Sequence, residues 1–158
     1  MQIFEDKKGA KSGAIFATLL FVAGFIGSFY YELGNSAIFA MIVGALCVAF
    51  CVKKIFQVSF LQVIDDGFIV QKGSKSAKFK FNDIEKISIK LIDKKKNAEV
   101  LLVEFKKNRL DRDLVDGLIQ PLGERDAVIL DKYELNKYEL STILMDALQK
   151  QANKKNRS

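Results

Sequence analysis

Lysine is the residue whose spacing says most about chemistry in this chain. Lys78 and Lys80 alternate with Phe79 and Phe81, and Lys86 and Lys90 alternate with Ile87, Ile89 and Leu91. Alternate residues of an extended strand share a face. These four lysines therefore project from strands whose opposite face is apolar, and they are the candidate binding residues. A basic face of this kind attracts anionic lipid head groups, at about 1 kcal/mol per Lys near a membrane, or the acidic surface of a protein partner. The same pattern also keeps a sheet soluble and guards its edges, and the sequence leaves these readings open.

Other reactive groups are sparse. Asp65 with Asp66, and the run Asp111, Arg112, Asp113 and Asp116, offer paired carboxylates for acid–base work or a magnesium ion. Adjacent carboxylates in a turn equally serve the turn, by bonding its own backbone. Cys47 and Cys51 are four residues apart on one helix face. That spacing suits palmitoylation or contact with a soft metal, and it suits two small packing residues as well. Histidine is absent, which removes Ser-His and Cys-His nucleophile pairs and every histidine metal site. No G-K-[ST] phosphate loop occurs. The sequence predicts no catalytic residue, no cofactor and no metal, and hence a protein that is not an enzyme.

The elements that position these residues begin with two apolar runs, Gly13 to Tyr31 and Ser36 to Val52, without a single Asp, Glu, Lys or Arg. Each approaches the ~20 residues that cross ~30 Å of hydrocarbon. Residues 32–35 form a polar, glycine-containing link, so the pair reads as a tight transmembrane hairpin. A cleavable signal peptide is the competing reading of the first run, disfavoured by its length, the lack of an A-x-A site and the second run that follows at once. Lys7, Lys8 and Lys11 precede the hairpin and Lys53 and Lys54 close it, whereas the link carries only Glu32. The positive-inside rule then puts both termini in the cytoplasm, with Tyr30 and Tyr31 at the opposite interface. Small residues recur at four-residue steps: Ala23 with Gly27, Gly24 with Ser28, and Ala40 with Gly44. They are candidate helix-packing positions, within the hairpin or between copies of it in a homo-oligomer.

The 158-residue chain leaves room for one small domain after the hairpin. The net charge of +6 lies entirely in that part, because the charges before Lys53 cancel. Nucleic acid would suit the charge, but no recognition motif accompanies it, so no nucleic-acid partner is expected. Val58 to Ile64, a turn at Asp65, Asp66 and Gly67, and Phe68 to Gln71 read as a β-hairpin. Ala77 to Phe81, Ile84 to Ile92, Glu99 to Phe105 and Ala127 to Leu130 read as further strands, with Lys94 to Asn97 as a turn. Residues 108–124 read as a short helix or irregular connection, broken by Gly117, Pro121 and Gly123. Asn136 with Glu139 forms a capping-box pattern, Leu135 with Leu140 a hydrophobic staple, and Leu140, Ile143, Leu144, Ala147 and Leu148 an amphipathic stripe. Residues 151–158 read as a basic, disordered tail. The predicted divisions are an anchor over 1–54, a domain over 55–150 and the tail.

The hairpin placement, "VIDDGFIV" at Val63 to Val70, "FKFNDIEKISI" at Phe79 to Ile89 and "YELSTILMDAL" at Tyr138 to Leu148 resemble a bacterial membrane-protein family of unknown function. In that family two transmembrane helices precede a pleckstrin-homology-like (PH-like) domain. The resemblance implies an α+β fold, with a transmembrane helical hairpin followed by a PH-like antiparallel β-barrel or sandwich closed by one C-terminal helix. It brings no catalytic residues. Phosphoinositide binding is not carried over, because the first strand-to-strand loop here holds Asp65 and Asp66, which repel phosphate. The expected function is a module in the bacterial inner membrane that recruits or regulates a protein partner at the cytoplasmic face. Anionic-lipid sensing by the lysine face, or a structural role in a larger membrane complex, are the alternatives.

Overall fold

The computed structural model describes residues 1–31, 34–93, 98–111, 117–129 and 133–155. Two compact units divide the chain: Asp6–Gln57, and Met1–Glu5 together with Val58–Ser158.

The first unit is a helical pair, α1 (Lys8–Phe29) and α2 (Asn35–Phe56). Both helices are long and apolar enough to cross a membrane, each reaching about 33 Å at 1.5 Å per residue. At their lysine-bearing ends they run beyond the apolar segments, so that Lys8, Lys11, Lys53 and Lys54 are helical. Gly34 caps α2 with φ at 63° and ψ at −146°, a backbone state open to glycine and closed to most L side chains. Asp6 accepts a hydrogen bond from the Lys8 amide at 2.9 Å and opens α1. Lys7 closes α2, its ammonium donating to the carbonyls of Ile55 and Gln57 at 2.5 and 2.6 Å. A cation is favoured there because the last carbonyls of a helix lack intrahelical partners and carry partial negative charge.

The second unit is α+β, with two antiparallel sheets and a C-terminal helix. Strand β1 (Gln2–Phe4) pairs with β2 (Ser59–Ile64), β2 with β3 (Gly67–Lys72), and β3 with β4 (Lys75–Lys80), giving a first sheet in sequential order. The short 3₁₀ turn Phe81–Asp83 leads to β5 (Ile84–Asp93), which pairs with β6 (Ala98–Phe105). Two short strands, β7 (Gln120–Pro121) and β8 (Asp126–Ile129), complete the second sheet in the order β5-β6-β8-β7. The sheets remain separate, and no closed barrel forms among the described residues.

One core joins both sheets. Phe68 and Phe79 stack at 5.2 Å, and Phe79 reaches Phe105 of the other sheet at 6.1 Å. Gly67 lets the start of β3 lie close against β4, since a Cβ at that position would lie 2.0 Å from the Phe79 carbonyl oxygen. Helix α3 (Lys137–Lys155) buries Leu140 and Leu144 in the same core, with Ala147 and Leu148 partly covered. Its capping box is complete: the Asn136 side chain accepts from the amides of Tyr138 and Glu139 at 3.0 and 2.9 Å, and Glu139 accepts from the Asn136 amide at 3.2 Å.

Three expectations are corrected here. Residues 1–5, assigned to the anchor by sequence, belong to the β unit: β1 pairs with β2, the Glu5 amide donates to Ser59 at 3.0 Å, and the Glu134 amide donates to Phe4 at 2.9 Å. The tail begins later than residue 151, because α3 continues through Lys155. Phe81 leaves the strand for the 3₁₀ turn, yet it keeps its place in the core at 2 % exposure. The Lys94 to Asn97 turn, Glu32 and Leu33 of the link, most of the Asp111 to Asp116 run, Leu130 and residues 156–158 lie outside the described residues.

Candidate functional site

Register fixes where the four lysines go. On β4, Ala77 and Phe79 point into the core, so Lys78 and Lys80 face outward from the edge of the first sheet. Lys86 and Lys90 are exposed on β5, an edge of the second sheet. The four thus belong to two sheets. Lys86 lies opposite Glu104 in the register and Lys90 opposite Val100.

The β2–β3 turn brings the Asp66 carboxylate back onto β4. Asp66 and Lys78 form an ion pair at 2.7 Å. The Lys78 hydrogen bond holds the Asp66 carboxyl below the usual carboxylate range, with lesser help from the charge of Lys80. Both partners are solvated, so the pair adds little stability, but it offsets part of the positive field on β4. Nothing in the chain around Lys78 announces this partner; it appears only when the hairpin register is known.

A second polar cluster was invisible in the sequence. Glu99 at the start of β6 accepts from Lys137 at 2.6 Å and from the Tyr138 hydroxyl at 2.5 Å. The Lys137 and Tyr138 hydrogen bonds lower the Glu99 carboxyl below its ordinary value, and the Glu99 carboxylate in turn raises the Tyr138 phenol. This cluster ties the first turn of α3 to the second sheet.

Farther along α3, Ile143, Asp146 and Lys150 face Val63 and Asp65 across an open groove of 510 Å³. Its lining mixes both charges with aliphatic side chains. Among the described residues no three His, Cys, Asp or Glu side chains gather as metal ligands. Cys51 packs near Gly13 of α1, whereas Cys47 is exposed, so the two thiols occupy different surroundings.

The small residues of the hairpin separate by role. Ala17, Gly24 and Gly27 of α1 and Ala37 and Gly44 of α2 are buried between the helices. Ala17 to Gly24 and Ala37 to Gly44 are seven-residue steps, the repeat of a left-handed helix pair. A Cβ on Gly24 would come within 2.7 Å of the Met41 nitrogen, and one on Gly44 within 2.7 Å of the Phe21 nitrogen. Ala23 is exposed, and Ser28 and Ala40 are half-buried. The large side chains turn outward, with Phe16 at 71 %, Phe39 at 69 % and Phe50 at 69 % exposure.

No protein-family model matches the chain, and neither a curated protein nor a solved structure matches it.

Proposed function

We propose that this chain is a membrane-mounted binding module without enzymatic activity. In this reading α1 and α2 span the bacterial inner membrane, both termini are cytoplasmic, and the β unit is a PH-like domain that recruits or scaffolds a protein partner at the cytoplasmic face. The observation that carries it is the insertion of the hairpin between β1 and β2, two neighbouring antiparallel strands. Residues 5–7 and 57–58 join the helical pair to β1 and β2. A domain joined twice by such short links is held at the bilayer, which raises its effective concentration for partners there. Outward phenylalanines over two helices of this length support the membrane assignment, since a soluble surface does not leave so large an apolar area in water. The PH-like assignment is supported by two antiparallel sheets with one closing helix, and by the resemblance above.

The test is affinity purification of the full-length protein from its native membrane after mild crosslinking, beside a chain carrying the same hairpin with an unrelated soluble domain. A protein partner recovered only with the native β unit is the expected result. Equal recovery with both chains would refute recruitment by the domain and make the hairpin the contact, as for a structural subunit.

A further inference from the structure

Across the first sheet, the residues between the core-facing positions form rows on its outer side, of which two cross all four strands and a third joins Ile64, Gly67 and Lys80. Phe4, Phe60, Gln71 and Ser76 are register neighbours, followed by Gln2, Gln62, Ile69 and Lys78. The alternate residues Ile3, Leu61, Val70 and Ala77 are buried in the core, which fixes the two rows as outward. Among these eight positions only Lys78 is charged, and Asp66 pairs with it. The outer side of β1 and β2 carries no charged side chain, and the lysines of this face, Lys78 and Lys80, lie on β4 at the opposite edge. The apolar members of the face are concentrated on the two strands that continue into the helices. Phe4 is 46 % exposed and stacks edge-on against Phe60 at 6.2 Å. Val58, which shares the outward parity of Phe60, is 53 % exposed.

We infer that this outer face of β1 and β2 rests in the membrane interface, with Phe4, Val58 and Phe60 among the glycerol and upper acyl groups of the lipid. The inference rests on the membrane reading of the hairpin. Phe4 lies four residues before α1, and Val58 two after α2. At about 3.5 Å per residue, the chain allows them at most roughly 14 and 7 Å from the helix ends. Lys8, Lys11, Lys53 and Lys54, one turn beyond the apolar runs, suit the head-group layer. Apolar aromatic side chains at that depth gain from leaving water, as on interfacial helices. A second copy of the chain fits the patch poorly: Phe4, Val58 and Phe60 offer on the order of 300 Å², against the ~800 Å² that a stable interface buries on each partner. Because the patch is uncharged, it takes zwitterionic as readily as anionic lipid.

The chain contains no tryptophan, so one substitution supplies a sole indole reporter. Full-length Phe4→Trp and Val58→Trp are placed in phosphatidylcholine nanodiscs, with and without lipid brominated near the top of the acyl chains. Phe39→Trp, outward on α2, reports separately whether the hairpin is in the bilayer. The expected result is blue-shifted emission from positions 4 and 58 that brominated lipid quenches and aqueous iodide does not. Quenching by iodide alone would place the face in water, and quenching by neither would place it under protein, including a second copy; each overturns the inference while Phe39→Trp remains quenched by brominated lipid. Loss of quenching at position 39 would overturn the membrane reading itself. Two reporter positions keep the test decisive if one variant misfolds.

Discussion

Adding one methyl group at Gly44 should separate α1 from α2. The new Cβ would sit 2.7 Å from the Phe21 nitrogen and 2.9 Å from its Cα. These are backbone atoms, which cannot swing aside, so the helices must move apart and loosen contacts along the whole seam. Overpacking costs about 1–3 kcal/mol. Against this stands the helix propensity gained by replacing glycine with alanine, about 1 kcal/mol. The rigidity of the obstacle places the clash toward the upper part of its range, so the net expectation for Gly44→Ala is a loss of about 1–2 kcal/mol, or a factor of 5–30 in the folding equilibrium. Gly24→Ala should behave alike, its Cβ meeting Met41 and Ala37 backbone at 2.7 and 2.8 Å. Gly9→Ala is the control, with nothing within 4 Å of its Cβ, and it should be neutral or stabilising. The assay is SDS-driven unfolding of the full-length protein in bicelles, followed by helicity, with molecular mass measured in parallel. Stability unchanged or raised in both seam variants would refute the packing argument. A lower oligomeric mass with unchanged unfolding would show instead that these glycines join separate copies.

Gly67→Ala should destabilise the β unit by more than about 3 kcal/mol, because a Cβ 2.0 Å from the Phe79 oxygen cannot be relieved without parting β3 from β4; urea unfolding monitored by tyrosine fluorescence measures it. Asn136→Ala removes the side-chain acceptor of two amides and should cost about 1 kcal/mol, seen as faster hydrogen exchange in the first turn of α3. The Glu99 cluster makes stability depend on pH at both extremes. Its lowered carboxyl contributes above the ordinary glutamate value and that contribution fades as pH falls through the lowered one, whereas the raised Tyr138 phenol contributes below about pH 10 and fades as pH rises through its raised value. Glu99→Gln should flatten both limbs in thermal melts across the pH range; an unchanged acid limb would show that the tie has no energetic role.

What could be read from the sequence was local. The two apolar runs, the Asp65–Asp66 turn and the Asn136 capping box each depend on residues within a few positions of one another, and each forms the predicted element. Strand β1 was hidden because three residues carry no periodicity; its conformation is imposed by β2, with Phe4 opposite Phe60 across the whole hairpin. β7 contains Pro121, which argues against a strand interior, and it survives as a two-residue edge. On β5 the alternation needed an irregularity. Ile84 and Ile87 are three apart, yet both are buried, because the register shift after Ile84 leaves Glu85 as the extra residue. The lysines were legible as outward residues, but their division between two sheets and the pairing of Lys78 with Asp66 are tertiary facts.

That hidden strand changes how the hairpin should be regarded. Had the hairpin preceded the domain as an independent anchor, one flexible link would join them and the domain could turn freely above the membrane. Placed between β1 and β2, the hairpin is itself the loop that closes an antiparallel strand pair. Because those strands are in one sheet, both ends of the hairpin must emerge on one side of any bilayer it enters, which requires an even number of crossings. The entropy of closing such a loop is met largely by helix pairing: once α1 and α2 are packed along their glycine seam, their ends are brought together and β1 has few conformations left to lose. Loosening the seam should therefore reach the sheet. Hydrogen exchange at the amides of Glu5 and Val63, which bond Ser59 and Met1 across the β1–β2 ladder, should accelerate in Gly44→Ala while the β3–β4 ladder stays protected. Unchanged protection of both amides would mean that β2 and residues 133–134 hold β1 without help from the hairpin.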